Sequence, residues 1–117
     1  MHEINIVRQV LKTVGDFAGE NGITEVSEIV LDIGELSLII PEYIEEIYPA
    51  VAQGTMFENT KLIMNTIPGL AQCAACDEIF NVIEYNGYCP NCGGFEKTVL
   101  TGKDFSIREI HIPEDED

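Results

Sequence analysis

The chain has 117 residues, 45% of them hydrophobic, and carries 21 Asp and Glu against 6 Lys and Arg, for a net charge of -15. That length suits one ordinary domain or a small domain with an insert, and the apolar content suits a packed core rather than a disordered chain. The charge sets aside nucleic acid and anionic membrane surfaces, which are bound through Lys and Arg, and it favours a basic protein or a metal cation as partner.

The first residues do not read as a secretory leader, because Glu3 is acidic and Arg8, Gln9 and Lys12 interrupt the apolar positions. No run reaches the roughly 18 apolar residues needed to span a bilayer. The expected location is therefore the cytoplasm. Thiols stay reduced there, so paired cysteines are better read as metal ligands than as disulfides.

Ile4, Val7, Val10, Leu11, Val14, Phe17 and Ala18 recur at steps of three and four, the apolar face of an amphipathic helix, and Asn21-Gly22 supplies its stop signal. From Val26 to Ile33 the residues Ile29, Leu31 and Ile33 alternate with Glu28, Val30 and Asp32, which predicts a strand ended by Gly34. Pro41 is placed to open a second helix, with Tyr43, Ile44, Ile47, Tyr48 and Val51 as its apolar stripe and Glu42, Glu45 and Glu46 on the wet side. Pro49 falls inside that stripe. A proline there costs about 3 kcal/mol, so a kink or an early end is expected.

Lys61 to Ile67 reads as a second strand, followed by a break at Pro68-Gly69. Residues 70 to 100 hold all four cysteines, and Thr101-Gly102 is a second break. Phe105 to Ile112 reads as a third strand whose apolar phase slips at Arg108-Glu109, as at a bulge. The tail Glu114-Asp115-Glu116-Asp117 is all acid and reads as disordered. The order is helix, strand, helix, strand, cysteine module, strand. The module thus reads as an insert in an α+β domain, placed between two strands of one sheet.

Cys73-Ala74-Ala75-Cys76 and Cys89-Pro90-Asn91-Cys92 are two CxxC knuckles separated by residues 77 to 88. Two residues between thiolates let both sulfurs face one ion while nearby N–H groups bond to them. Asn86-Gly87 is a tight-turn signal, and a hairpin over Ile79 to Tyr88 would bring the second knuckle beside the first. Four sulfurs in a tetrahedron suit Zn²⁺, and a closed site is structural. Metal binding is then expected to fold the module, since some thirty residues bury little core by themselves. Paired knuckles with Cys-Pro-x-Cys-Gly also resemble the iron site of rubredoxins, though the insert is short of the aromatic core such a protein needs. A thioredoxin-like redox CxxC works singly at a helix start and fits less well.

Met1-His2-Glu3 forms a second cluster. The Met1 amine, the His2 amide nitrogen and the His2 imidazole can close fused chelate rings on one ion, with Glu3 adding an oxygen. Nitrogen-rich square-planar sites suit Ni²⁺ or Cu²⁺. Each residue also has a plainer reading: a histidine at position two need bind nothing, and Glu3 in the first helical turn opposes the helix dipole favourably. His111, the only other histidine, reads as a packing or surface residue on the third strand. No Ser/His/Asp or Cys/His arrangement for catalysis is visible, so no enzyme activity is expected.

Taken together, the Met1-His2-Glu3 start, the amphipathic helix, Ile33-Gly34-Glu35-Leu36-Ser37 after the first strand, and the two knuckles before a short final strand resemble the HypA/HybF nickel-insertion proteins of NiFe hydrogenase maturation. The resemblance covers the whole chain except its tail. It implies a three-stranded mixed sheet with two helices plus a four-cysteine zinc-ribbon module. Residues 1–68 and 102–113 would form the nickel-binding domain, residues 69–101 the zinc domain and residues 114–117 the tail. It implies transferable Ni²⁺ held by His2 with Met1 and Glu3, and structural Zn²⁺ held by Cys73, Cys76, Cys89 and Cys92. The implied partners are the maturation GTPase HypB and the hydrogenase large subunit, and in some members urease maturation as well. Unlike some relatives, the module here has no histidine to offer nickel.

Overall fold

A computed structural model describes residues 2 to 113, the His2 side chain excepted. The elements follow the order α1 (His2–Glu20), β1 (Glu28–Gly34), α2 (Pro41–Ala52), β2 (Lys61–Ile67), β3 (Leu70–Cys73), β4 (Ile79–Asn81), β5 (Lys97–Val99) and β6 (Phe105–His111). They make two three-stranded sheets, ordered β2-β1-β6 and β4-β3-β5. By contact density the chain divides into two compact units, Met1–Leu31 with Ile40–Met64 and Ile107–Asp117, and Asp32–Ile39 with Asn65–Ser106.

The first sheet is mixed, as its hydrogen bonds show. Lys61 N–H donates to the Ser27 carbonyl at one end of β1 and Glu35 N–H to the Ile67 carbonyl at the other, so β1 and β2 run parallel. Ser27 N–H donates to the His111 carbonyl and Gly34 N–H to the Asp104 carbonyl, so β6 runs antiparallel to β1. A parallel pair needs a crossover, and α2 supplies it.

In the first unit Val7, Val10, Leu11, Val14 and Ala18 of α1 are buried together with Ile29, Val30 and Leu31 of β1 and Ile44, Tyr48 and Ala52 of α2. The space enclosed by Val7, Leu11, Leu31, Ile44 and Leu62 is only about 10 Å³, so the helices close on the strands without room for a ligand. Buried Thr60 donates its hydroxyl to the Val26 carbonyl at 2.6 Å, and the Tyr48 hydroxyl lies 3.2 Å from the Phe57 and Thr60 carbonyls. Among the described residues no buried side-chain nitrogen or oxygen lacks a partner.

Some local expectations need correction, and of the kink or early end expected at Pro49 the early end does not occur. Phe17, placed on the apolar face of α1, is 47% exposed, because Val14 and Ala18 already fill that edge of the core. The wet phase assigned to Val30 is wrong: it is buried, since β1 is the central strand. The second helix does not end at Pro49 but continues to Ala52, closing with a Gln53 N–H to Pro49 carbonyl bond at 3.1 Å. Burial of Tyr48 and Ala52 on either side of the proline outweighs the one lost hydrogen bond. Lastly, no hairpin spans Ile79 to Tyr88. Asn86 and Gly87 both have positive φ, 53° and 88°, and Tyr88 N–H reaches the Tyr85 carbonyl, which is a primed turn. That turn joins no paired strands, because β4 ends at Asn81 and pairs with β3 instead.

Candidate metal centre

In the second sheet β3 is central. It pairs antiparallel with β4, Ala71 opposite Phe80, and with β5, Ala71 opposite Val99. The first knuckle is therefore the turn of the β3–β4 hairpin. Cys73 closes β3 and is buried, Cys76 sits half-buried in the turn, Cys89 is buried and Cys92 is exposed.

The two knuckles have the same construction. The Asp77 N–H donates to the Cys73 carbonyl at 3.0 Å, and the Gly93 N–H to the Cys89 carbonyl at 2.8 Å. The Ala75 N–H points at Cys73 Sγ and the Asn91 N–H at Cys89 Sγ, each at 3.4 Å. The Cys73 N–H returns to the Glu78 carbonyl and the Cys89 N–H to the Gly94 carbonyl. The residue after each second cysteine is left-handed, Asp77 with φ 64° and Gly93 with φ 77°. Glycine takes that conformation freely and aspartate tolerates it better than most residues.

These turns bring Cys73 Sγ to 3.5 Å from Cys92 Sγ and Cys76 Sγ to 3.5 Å from Cys89 Sγ, with the four sulfurs all within 4.8 Å of one another. Four sulfurs about 2.3 Å from a central zinc are about 3.8 Å apart, so the arrangement accommodates a tetrahedral ion. The thiols are not alike. Hydrogen bonds from the Asn91 side chain and then the Glu78 N–H lower Cys76 to about 7. At Cys92 the Gly94 N–H pulls downward, but the neighbouring Cys73 and Cys76 thiols push it up to about 12. Four thiolates this close repel one another, and a divalent cation is what lets all four lose their protons together. The surrounding core is small: Ala71, Phe80, Cys73 and Cys89, with Cys76, Val82 and Val99 packed against it.

The root of this module is built on three glycines. A Cβ at Gly34 would overlap the Gly102 carbonyl, one at Gly102 would lie 2.5 Å from the Pro68 carbonyl oxygen, and one at Gly69 would lie 2.5 Å from Leu36 Cγ. Three stretches of chain cross there with no room for a side chain. The Glu35 carboxylate accepts the Gly69 N–H and the Asn81 side-chain amide, and Thr101 Oγ1 donates to the Pro68 carbonyl at 2.8 Å. From sequence, Gly34 marked only the end of a strand and Glu35 had no role, because a backbone crossing between residues 34, 69 and 102 has no local signature.

Of the nickel candidates, Met1 and the His2 side chain lie outside the described residues. Glu3 is in the first turn of α1 and lines a shallow groove with Ile4, Tyr43, Glu46 and Ile47. His111 is exposed, with Nε2 2.7 Å from Glu109 and Nδ1 3.5 Å from Glu28, far in the chain from any cysteine. No helix among the described residues is long and apolar enough to cross a membrane.

Residues 1–112 match the family model described as hydrogenase/urease nickel incorporation metallochaperone, HypA. The hydrogenase maturation factor HypA of Albidiferax ferrireducens is 32% identical over 112 residues, covering 96% of this chain and 99% of its own. That of Francisella philomiragia is 36% identical over 110 residues, covering 94% and 97%. Among solved structures, the solution structure of the Ni metallochaperone HypA from Helicobacter pylori superposes with a TM-score of 0.67 over 97% of this chain and 98% of its own, at 16% identity. A second HypA solution structure gives 0.70 at 18% identity, covering 97% of each chain. The structural likeness carries the fold, and the sequence matches carry the kinship.

Proposed function

The chain belongs to the HypA family of hydrogenase/urease nickel incorporation metallochaperones, and from that premise we propose that it binds Ni(II) at its N-terminus and delivers it for NiFe hydrogenase maturation. Nickel is the cargo, held by the Met1 amine, the His2 amide nitrogen and imidazole, and the Glu3 carboxylate. Zn(II) is the resident ion, held by Cys73, Cys76, Cys89 and Cys92. The recipient is the hydrogenase large subunit, with the maturation GTPase HypB as co-worker, and the transfer takes place in the cytoplasm. Residues 1–68 and 102–113 serve the nickel, and residues 69–101 form the zinc domain.

The observation that carries this reading is the family match across residues 1–112, which spans the first residues and all four cysteines together. Local physics agrees with it. Helix α1 starts at His2, and the first four N–H groups of any helix have no intrahelical acceptor, so engaging the His2 amide costs the helix no hydrogen bond. The closed sulfur site suits zinc and leaves no open position for exchange, whereas a chain terminus can yield its ion to a recipient. The zinc supplies cross-linking: it ties β3 to the second knuckle and gives the small module a fixed shape.

The test is a calorimetric Ni²⁺ titration of tag-free, zinc-loaded protein beside His2→Ala. One nickel site in the wild type that is lost in the variant, with zinc retained in both, is the expected result. Equal nickel binding in both proteins, or none in either, overturns the proposal. Binding should also weaken as pH falls through about 6.5, where an imidazole ligand takes up a proton.

A further inference from the structure

Between β1 and α2 the chain makes a short loop, Glu35 to Ile40, whose tip is built in an unusual way. Leu38 has φ 67° and is 89% exposed. A leucine in the left-handed region is disfavoured by the clash of its Cβ with backbone, and a fully wet leucine gains nothing from burial. Such a conformation persists only where its surroundings over-determine it. Here they do. On the residues just before the tip, the Gly34 N–H bonds to the Asp104 carbonyl, Glu35 N–H to Ile67 and Leu36 N–H to Gly102, at 2.9, 2.9 and 2.7 Å. Ser37 then locks the turn: its Oγ donates to the Gly34 carbonyl at 2.7 Å and accepts the Ile39 N–H at 3.3 Å. Five hydrogen bonds thus hold a loop whose product is one apolar side chain aimed into water.

Charge narrows what could cover it. The chain has net charge -15, and the loop from Glu35 to Ile40 carries one acid and no Lys, Arg or His. A second copy of so acidic a chain would be repelled, and so would an anionic membrane. A protein surface that is basic and carries an apolar socket fits both the leucine and the net charge of the chain.

We propose that Leu38 is the apolar anchor of a docking surface for a basic partner protein, presented by the hydrogen-bonded loop from Gly34 to Ile39. The assignment rests on the carrier reading given above, since a carrier must meet its recipient. It predicts that backbone strain and partner affinity respond to the same residue in opposite ways.

The experiment titrates zinc-loaded full-length protein, as wild type, Leu38→Gly and Leu38→Met, with the purified hydrogenase large subunit and with the purified maturation GTPase. The wild type is expected to bind at least one of them, more weakly as salt rises from about 0.05 to about 0.5 M. Leu38→Gly should lose about tenfold or more in affinity while keeping a Tm no lower than wild type, because glycine relieves the left-handed strain, and Leu38→Met should keep the affinity. Equal affinity in wild type and Leu38→Gly, affinity indifferent to salt, or no binding of the wild type to either protein overturns the assignment. Concentration-dependent self-association that Leu38→Gly abolishes overturns it too, in favour of a second copy. Nickel titration of the same samples reads the carrier function separately: it is unchanged in Leu38→Gly, and it fails in His2→Ala only if the carrier reading is right.

Discussion

Glu35 accepts the Gly69 N–H at 2.8 Å and, through the same oxygen, the Asn81 side-chain amide at 3.1 Å. One carboxylate on the loop after β1 thereby holds both the entry to β3 and the end of β4. The Gly69 bond, followed by the Asn81 bond, keeps the Glu35 carboxyl below its ordinary value of 4.5. A group whose folded value is depressed contributes its stability above the unfolded value and loses it as pH falls through the folded one. The chemical shift of the Gly69 amide proton should therefore follow the ionisation of Glu35, with a midpoint below 4.5. In Glu35→Ala, hydrogen exchange at Gly69 should rise by about tenfold at neutral pH. Unchanged exchange there would mean that the bond does not hold the root of the module.

Removal of the metal should melt the cysteine module and spare the helices. Its own core, centred on Ala71 and Phe80, is too small to order some thirty residues without a bound ion. On addition of a strong chelator the amide signals of residues 70–100 should collapse toward random-coil positions while Val14, Ile29 and Ile44 keep slow exchange. A module that stayed dispersed without metal would show that the β3–β4 and β3–β5 pairings suffice.

Ile44 is fully buried on α2, beside Val7, Leu11 and Leu31. Ile44→Ala should cost about 2–5 kcal/mol, the range for deleting a large aliphatic side chain from a closed core. Chemical denaturation of the zinc-loaded protein measures it. A loss well under 1 kcal/mol would show that the helices can close over the gap.

The regular elements were legible because each carries a local rule. Pro41 does open α2, Gly22 with φ 67° does follow α1, and β2 covers Lys61–Ile67, the span read for it. The four cysteines were legible for the same reason, since their spacing is itself the chemistry. Non-local facts were not. Of the kink or early end that Pro49 signalled, the early end is absent, because burial of Tyr48 and Ala52 carries the helix past the proline. Asn86-Gly87 made its turn yet did not select a hairpin, because β3 offered Ile79–Asn81 a closer partner. Neither the Glu35 bonds nor the left-handed Leu38 could be read from neighbours in the chain, as both depend on residues more than thirty positions away holding the loop.

Where Gly69 and Gly102 touch, the chain leaves for the cysteine module and comes back at a single point. Topologically the module is a loop with a closed neck. Lengthening such a loop adds only a slowly growing entropic cost, because the neck has already brought its ends together. The same neck makes the module exchangeable. Residues 70 to 101 could be cut out and bridged by a short turn, or replaced by a ribbon that holds a different metal, without re-laying either β2 or β6. The glycine crossing is thus a splice point, and what hangs from it can vary while the sheet that bears it stays the same.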